Sequence, residues 1–250
     1  MTKTLRHFIF IFSALAFGSA ALAEPDPRQA PITRDALISG IRREPLNSGR
    51  HYDLIIRARN SGLLADAETE LAALVREHPM SAQANYLAGA CSIIMDLAIA
   101  QGVKLPPSPL PHAGYIGNAR TYLKRALDLD GKLADACTLY GYVLWQEDHK
   151  FDEGLALLRK GVRMAPNEAR AHYWLALVLG NPTGPSYDAM GAYREMQIAA
   201  RLDSRYIPPR VFLALLCRRL GRNAEAAAHE RAWRSLLPPG VDASRVSKVY

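Results

Sequence analysis

The residues of this chain with chemistry to offer are its histidines, its three cysteines and a few paired carboxylates, and their spacing argues against catalysis. His51, His78, His112, His149, His172 and His229 are scattered, and no two stand three or four residues apart with a carboxylate, the arrangement a helix-borne metal site needs. Cys91, Cys137 and Cys217 lie far apart, each inside an apolar helical run, with no CxxC or CxxCH pattern. They are read as small buried hydrophobes, and no disulfide is predicted. Glu147-Asp148 and Asp152-Glu153 are adjacent in sequence, so their side chains diverge on a helix or turn and serve as solvated charge. Zinc-protease, nucleophile-elbow, phosphate-loop and dinucleotide motifs are all absent from the sequence. The chain is therefore expected not to be an enzyme, with no catalytic residue, no metal and no cofactor.

What the sequence does hold is recognition chemistry. Tyrosine, tryptophan and arginine combine large contact area with a polar handle, and they recur at regular positions through the chain. Charge is distributed unevenly. The precursor carries +7, residues 24–200 hold 19 basic and 20 acidic side chains, and residues 201–250 hold 10 basic and 4 acidic. Arg218, Arg219, Arg222, Arg231, Arg234, Arg245 and Lys248 form this C-terminal basic group. It suits an acidic protein segment, an anionic lipid or an acidic polysaccharide, although a plain solvated face is the leading single explanation.

The first residues belong to targeting. Lys3, Arg6 and His7 precede an apolar run over residues 8–17, and Ala21-Leu22-Ala23 gives a small-x-small ending before Glu24. Residues 1–23 are read as a secretory signal peptide cleaved after Ala23. The expected compartment is the bacterial periplasm, where nucleic acid is no partner. The mature chain has no further run long enough to span a membrane, so only peripheral contact with the envelope is expected.

The elements that must position these side chains follow a period of 34 residues. Counting from Ser48, Leu54 and Ile55 take places 7 and 8, Gly62 place 15, Ala67 place 20, Leu71 place 24 and Pro79 place 32. Counting from Ile207, Leu213 and Ala214 take places 7 and 8, Gly221 place 15 and Ala226 place 20. Gly141 at place 8 of a third unit and FDEG at residues 151–154 continue the pattern. Small residues let one helix approach the next, and large ones fill the space between.

This pattern resembles the tetratricopeptide repeat, a helix–turn–helix unit that stacks into a solenoid. The resemblance implies an all-α fold, a right-handed superhelical solenoid of about five repeats over residues 48–237. Their spans are 48–81, 82–133, 134–168, 169–206 and 207–237. Residues 24–47 form an N-terminal segment with a capping helix expected over 31–46, built on Ile32, Ala36, Leu37 and Ile41, and residues 238–250 are a mobile tail. Two insertions interrupt the turns of repeats. One is the proline-rich stretch near residues 105–117, where Pro106, Pro107, Pro109 and Pro111 exclude helix. The other is Asn181-Pro182-Thr183-Gly184-Pro185.

In the family, the first helix of each repeat lines a concave face. Carried over residue by residue, this implies partner binding by Tyr52, Arg59, Asn60, Tyr86, Tyr142, Trp145, Arg170, Tyr173, Arg218 and Arg219. Tyr86 and Thr138 stand where relatives that clamp a C-terminal carboxylate need polar or basic groups, so that clamp is not expected. The leading reading is a periplasmic scaffold that binds a peptide or helical segment, one with an acidic stretch, in an envelope assembly, export or maturation complex. The alternative is a small-ligand-binding accessory of a periplasmic uptake system. A closed apolar cavity beneath the aromatics distinguishes the second from the first.

Overall fold

A computed structural model describes residues 32–100, 102–110 and 114–236. The expected signal peptide and the tail with Arg245 and Lys248 lie outside these residues. Among the described residues there are eleven α-helices and no strand. In chain order they are α1 (Arg34–Ile41), α2 (Ser48–Asn60), α3 (Leu64–Glu77), α4 (Ala82–Ala100), α5 (Gly114–Leu129) and α6 (Ala134–Gln146), followed by α7 (Phe151–Met164), α8 (Ala169–Leu179), α9 (Ala189–Leu202), α10 (Ile207–Arg219) and α11 (Asn223–Arg234). The chain divides into two compact units, with α1 to α7 in Pro27–Met164 and α8 to α11 in the unit that holds Ala165–Tyr250.

In the first unit, α1 starts where Thr33 accepts a hydrogen bond from the Ala36 N–H at 3.3 Å, satisfying a donor that the helix itself leaves open. It is shorter than the helix expected over 31–46. Glu44 precedes Pro45, a position biased away from helical backbone, and the chain leaves the helix at Arg42. Leu37 and Ile41 are fully buried, whereas Ala36 is exposed. Arg34 pairs with Asp66 at 2.5 Å, and Arg42 pairs with Glu70 at 2.9 Å and Glu77 at 3.0 Å. These exposed pairs orient α1 on α3 more than they hold it there, because solvent screens them.

Helices α2 and α3 meet at Gly62, whose φ of 73° is open to glycine at no steric cost. The turn closes through Leu63 N–H to Ala58 O at 2.7 Å and Gly62 N–H to Arg59 O at 3.2 Å, the double bond of a Schellman cap. The last hairpin repeats the device at Gly221, with Arg222 N–H to Cys217 O at 2.8 Å. The third hairpin lacks the glycine. His149 takes a φ of 55° instead, a strained position for a non-glycine residue, and the neighbouring Asp148 is braced by a forked pair with Arg120.

Helix α4 is the central pillar of its unit. Ala84, Leu87, Ala88, Ala90, Cys91, Met95 and Ala98 are all at 0% exposure, so it is apolar nearly all round, as a helix enclosed by others must be. Its partner α5 starts only after the proline-rich insertion. Helices α6 and α7 make a close backbone contact. A Cβ added to Gly141 would stand 2.7 Å from the Gly154 carbonyl oxygen and 2.9 Å from the Leu158 nitrogen, and one added to Gly154 would stand 2.6 Å from the Gly141 oxygen. Two glycines face each other, backbone against backbone.

The second unit is built from two hairpins. In α8–α9, the insertion folds on itself: Asn181 Oδ1 accepts from the Thr183 N–H at 3.1 Å and from its hydroxyl at 2.9 Å. Asp188 then caps α9 through the Gly191 N–H at 2.8 Å. Helix α10 opens on Pro208 and Pro209, tolerated because the first helical N–H groups have no acceptor within the helix. Cys91, Cys137 and Cys217 are free and buried.

Candidate partner-binding surface

The aromatic residues expected to line an open groove are interior instead. In the first unit Tyr52 is 4% exposed, Tyr86 2%, Tyr142 5% and Trp145 3%. The first helices α2, α4 and α6 touch in succession, and the alanines of α4 let them approach closely, so aromatics on those faces fill the space between helices. Trp145 packs edge-on to Phe151 of α7, ring centroids 5.3 Å apart. In the second unit Tyr173 is fully buried, with its ring edge-on to Trp174 at 5.6 Å and Tyr206 at 5.5 Å. For these five residues the expectation of a contact surface gives way to a packing role.

The arginines keep more of their surface. Arg59, near the end of α2, has its pKa lowered to about 10 by burial, which the neighbouring Tyr52 opposes, so it stays charged at neutral pH. Asn60 closes the same helix. Arg170, at the start of α8, is held by Glu168 at 3.0 Å. Arg218 and Arg219 are exposed at the end of α10, but Arg218 pairs with Glu230 of α11. Glu230 also holds Arg234 at 2.5 Å, while Arg222 lies 4.8 Å over the Tyr193 ring and 3.8 Å from Glu225. Much of the C-terminal positive charge is thus matched locally, a correction to the picture of an open basic face.

Other groups carry polarity into the interior. Asp96 of α4 has its pKa raised to about 6, first by burial and then by the charge of Glu147. Gln146 Oε1 is buried without a hydrogen-bond partner. In the second unit, His172 of α8 lies 2.6 Å from Glu195 through Nδ1 and 2.9 Å from the Pro166 carbonyl through Nε2. Both neighbours are acceptors, so the ring is best matched when both nitrogens carry protons. Burial works against that charge, but the Glu195 hydrogen bond, the Pro166 carbonyl and the Glu195 charge outweigh it and hold the pKa above its ordinary value. The regular pattern of small and large places has no signal for a pair such as His172 and Glu195, 23 residues apart. No group of three or more metal-ligating side chains occurs among the described residues.

The profile of the tetratricopeptide repeat matches residues 52–92 and 146–179, stretches that include the Gly62 turn and all of α7 and α8. Over these two stretches the chain matches the tetratricopeptide repeat. In three dimensions it is similar to TTC0263, a tetratricopeptide-repeat protein of Thermus thermophilus, with a TM-score of 0.60 and 17% identity over 81% of this chain and 98% of that one. It is also similar to pilF of Pseudomonas aeruginosa, with a TM-score of 0.52 and 18% identity over 86% of this chain and 83% of that one. At such identities the likeness is one of fold. No curated protein matches the chain in sequence. Among the described residues, no helix is long and apolar enough to cross a membrane.

Proposed function

We propose that this tetratricopeptide-repeat chain is a periplasmic scaffold that holds a peptide or helical segment of a partner protein in an envelope assembly, export or maturation complex. The observation that carries the reading is the repeat architecture itself: rigid helix hairpins, matched to the repeat profile in two stretches, with large aromatics consumed in packing. A scaffold so built presents its partner with polar groups on a stiff frame, where little freedom is lost on binding. The groups that fit this role are Arg59 in the first unit and Arg170, Arg218 and Arg219 in the second, which favour a segment with acidic side chains. The basic start and apolar run before Ala23 support the compartment.

Two experiments test the proposal. Fusion of residues 1–40 to alkaline phosphatase reports export, and an inactive fusion refutes the compartment. Affinity capture from an envelope extract with residues 24–250, followed by mass spectrometry, reports the partner. The reading expects one protein retained by the wild type and retained less when Arg218 and Arg219 are both changed to Glu. Equal retention by a correctly folded double variant removes the arginines from the contact.

A further inference from the structure

The proline-rich insertion between α4 and α5 is fastened to its own unit by polar atoms that leave one oxygen unmatched. Glu68 of α3 is 1% exposed. Its Oε1 accepts from the Ser108 hydroxyl at 2.5 Å. The Ser108 oxygen in turn accepts from Asn118 Nδ2 of α5 at 2.9 Å and from the Leu110 N–H at 3.1 Å. A hydroxyl has one proton and two lone pairs, so with both lone pairs filled its proton belongs to Glu68. The Tyr115 hydroxyl donates to the Pro106 carbonyl, and the Leu110 side chain is 6% exposed. The insertion is therefore pinned at Pro106, Ser108 and Leu110, and its prolines limit the backbone freedom lost in docking.

Glu68 Oε2 is buried with no hydrogen-bond partner. Ionised, this carboxylate would be a buried charge with a single donor and no cation beside it. The ionisable groups that face it are the Cys91 thiol of α4 and the Tyr115 phenol of α5, both held toward their neutral forms. On α1, Arg34 is taken by Asp66 and Arg42 by Glu70 and Glu77. On α2, His51 is fully buried with its Nδ1 2.8 Å from the Asn47 carbonyl, and the buried Tyr52 interacts with Arg59. Burial accordingly pushes the Glu68 pKa up, and the Ser108 bond offsets this only in part.

We propose that residues 103–110 are a proton-controlled strap, latched across α3 and α5 while Glu68 is protonated and released when Glu68 ionises and draws in water. The sign follows from linkage. In the open state Glu68 titrates at its ordinary value, and in the closed state above it. Between the two, the closed strap holds a proton that the open strap does not, so rising pH favours opening. The opening constant grows by at most about tenfold per pH unit in that window and levels off above the raised pKa.

The test is the protection of the Leu110 amide against hydrogen exchange in the full chain, corrected for the intrinsic rate at each pH. Wild type should lose protection as pH rises through the window, by at most about tenfold per pH unit. Glu68→Gln, neutral at every pH, should stay flat. A second readout is alkylation of Cys91, at one fixed pH, in a Cys137→Ser and Cys217→Ser background. Ser108→Ala, which lacks the latch, should label faster than its parent with helical circular dichroism unchanged. A flat wild-type profile, parallel profiles for wild type and Glu68→Gln, or unchanged labelling in Ser108→Ala would each overturn the proposal.

Discussion

Substituting Gly141 with Ala isolates a close helix contact in the first unit. Two effects oppose each other. Alanine favours helix over glycine by about 1 kcal/mol, which alone would stabilise α6. The new methyl, however, meets the Gly154 oxygen at 2.7 Å, the Leu158 nitrogen at 2.9 Å and the Leu157 Cβ at 3.0 Å, where ordinary contact starts near 3.4 Å. Two of the three obstructing atoms are backbone and cannot rotate away, so α6 and α7 must separate. Overpacking of this kind costs about 1–3 kcal/mol and more when a helix has to shift. The strain exceeds the propensity gain, leaving a net loss of about 1–2 kcal/mol and a fall in Tm of about 2–8 °C for a chain of this size. Gly131→Ala is the control, because its added methyl meets only the Leu127 oxygen, at 3.7 Å. Thermal unfolding followed by circular dichroism decides the matter. If Gly141→Ala proves as stable as Gly131→Ala, the backbone-to-backbone contact does not exist as described.

Trp145→Ala should lose about 3–5 kcal/mol of stability, because it empties a buried contact with Phe151; chemical denaturation measures this, and an unchanged midpoint would return Trp145 to the surface. His172 has a folded pKa above its unfolded one, so its stabilisation is complete below the unfolded value and is lost as pH rises through the folded value. His172→Gln should therefore flatten the pH profile of Tm in the neutral range, and a profile matching wild type would contradict the charged ring. Asp96 responds to pH in the same direction, in a more acidic window: its pKa rises from 3.8 to about 6, so stability declines as pH climbs between those values. Asp96→Asn should relieve that decline by at most about 3 kcal/mol, reduced by whatever solvent reaches the group, and a variant no more stable than wild type at pH 8 would count against it.

The repeats were legible in sequence because their register rests on residue size. Ala67, Leu71 and Ala126 occupy places where only small or only large side chains fit, and each is fully buried or nearly so. Gly62 and Gly221 marked turns for a backbone reason that needs no tertiary knowledge. Whether Tyr52, Tyr86, Tyr142, Trp145 and Tyr173 faced solvent was a different kind of question. It depends on how closely successive first helices pack, a distance set by residues in neighbouring repeats rather than by the place of each aromatic. The same holds for Glu68 and Ser108, 40 residues apart, whose meeting is decided by how an insertion folds back. That Arg218 shares its charge with Glu230 was not legible either, because Glu230 stands on the next helix.

The central claim, that these repeats hold a segment of another protein, is tested most directly by calorimetry. The segment of the captured partner that cross-links to residues 24–250 is synthesised as a free peptide and titrated into the folded chain. The account predicts saturable binding that weakens with added salt and with the Arg218→Glu, Arg219→Glu double change. Heat released only by a small envelope metabolite, with none from the peptide, would contradict it and point to the ligand-binding alternative.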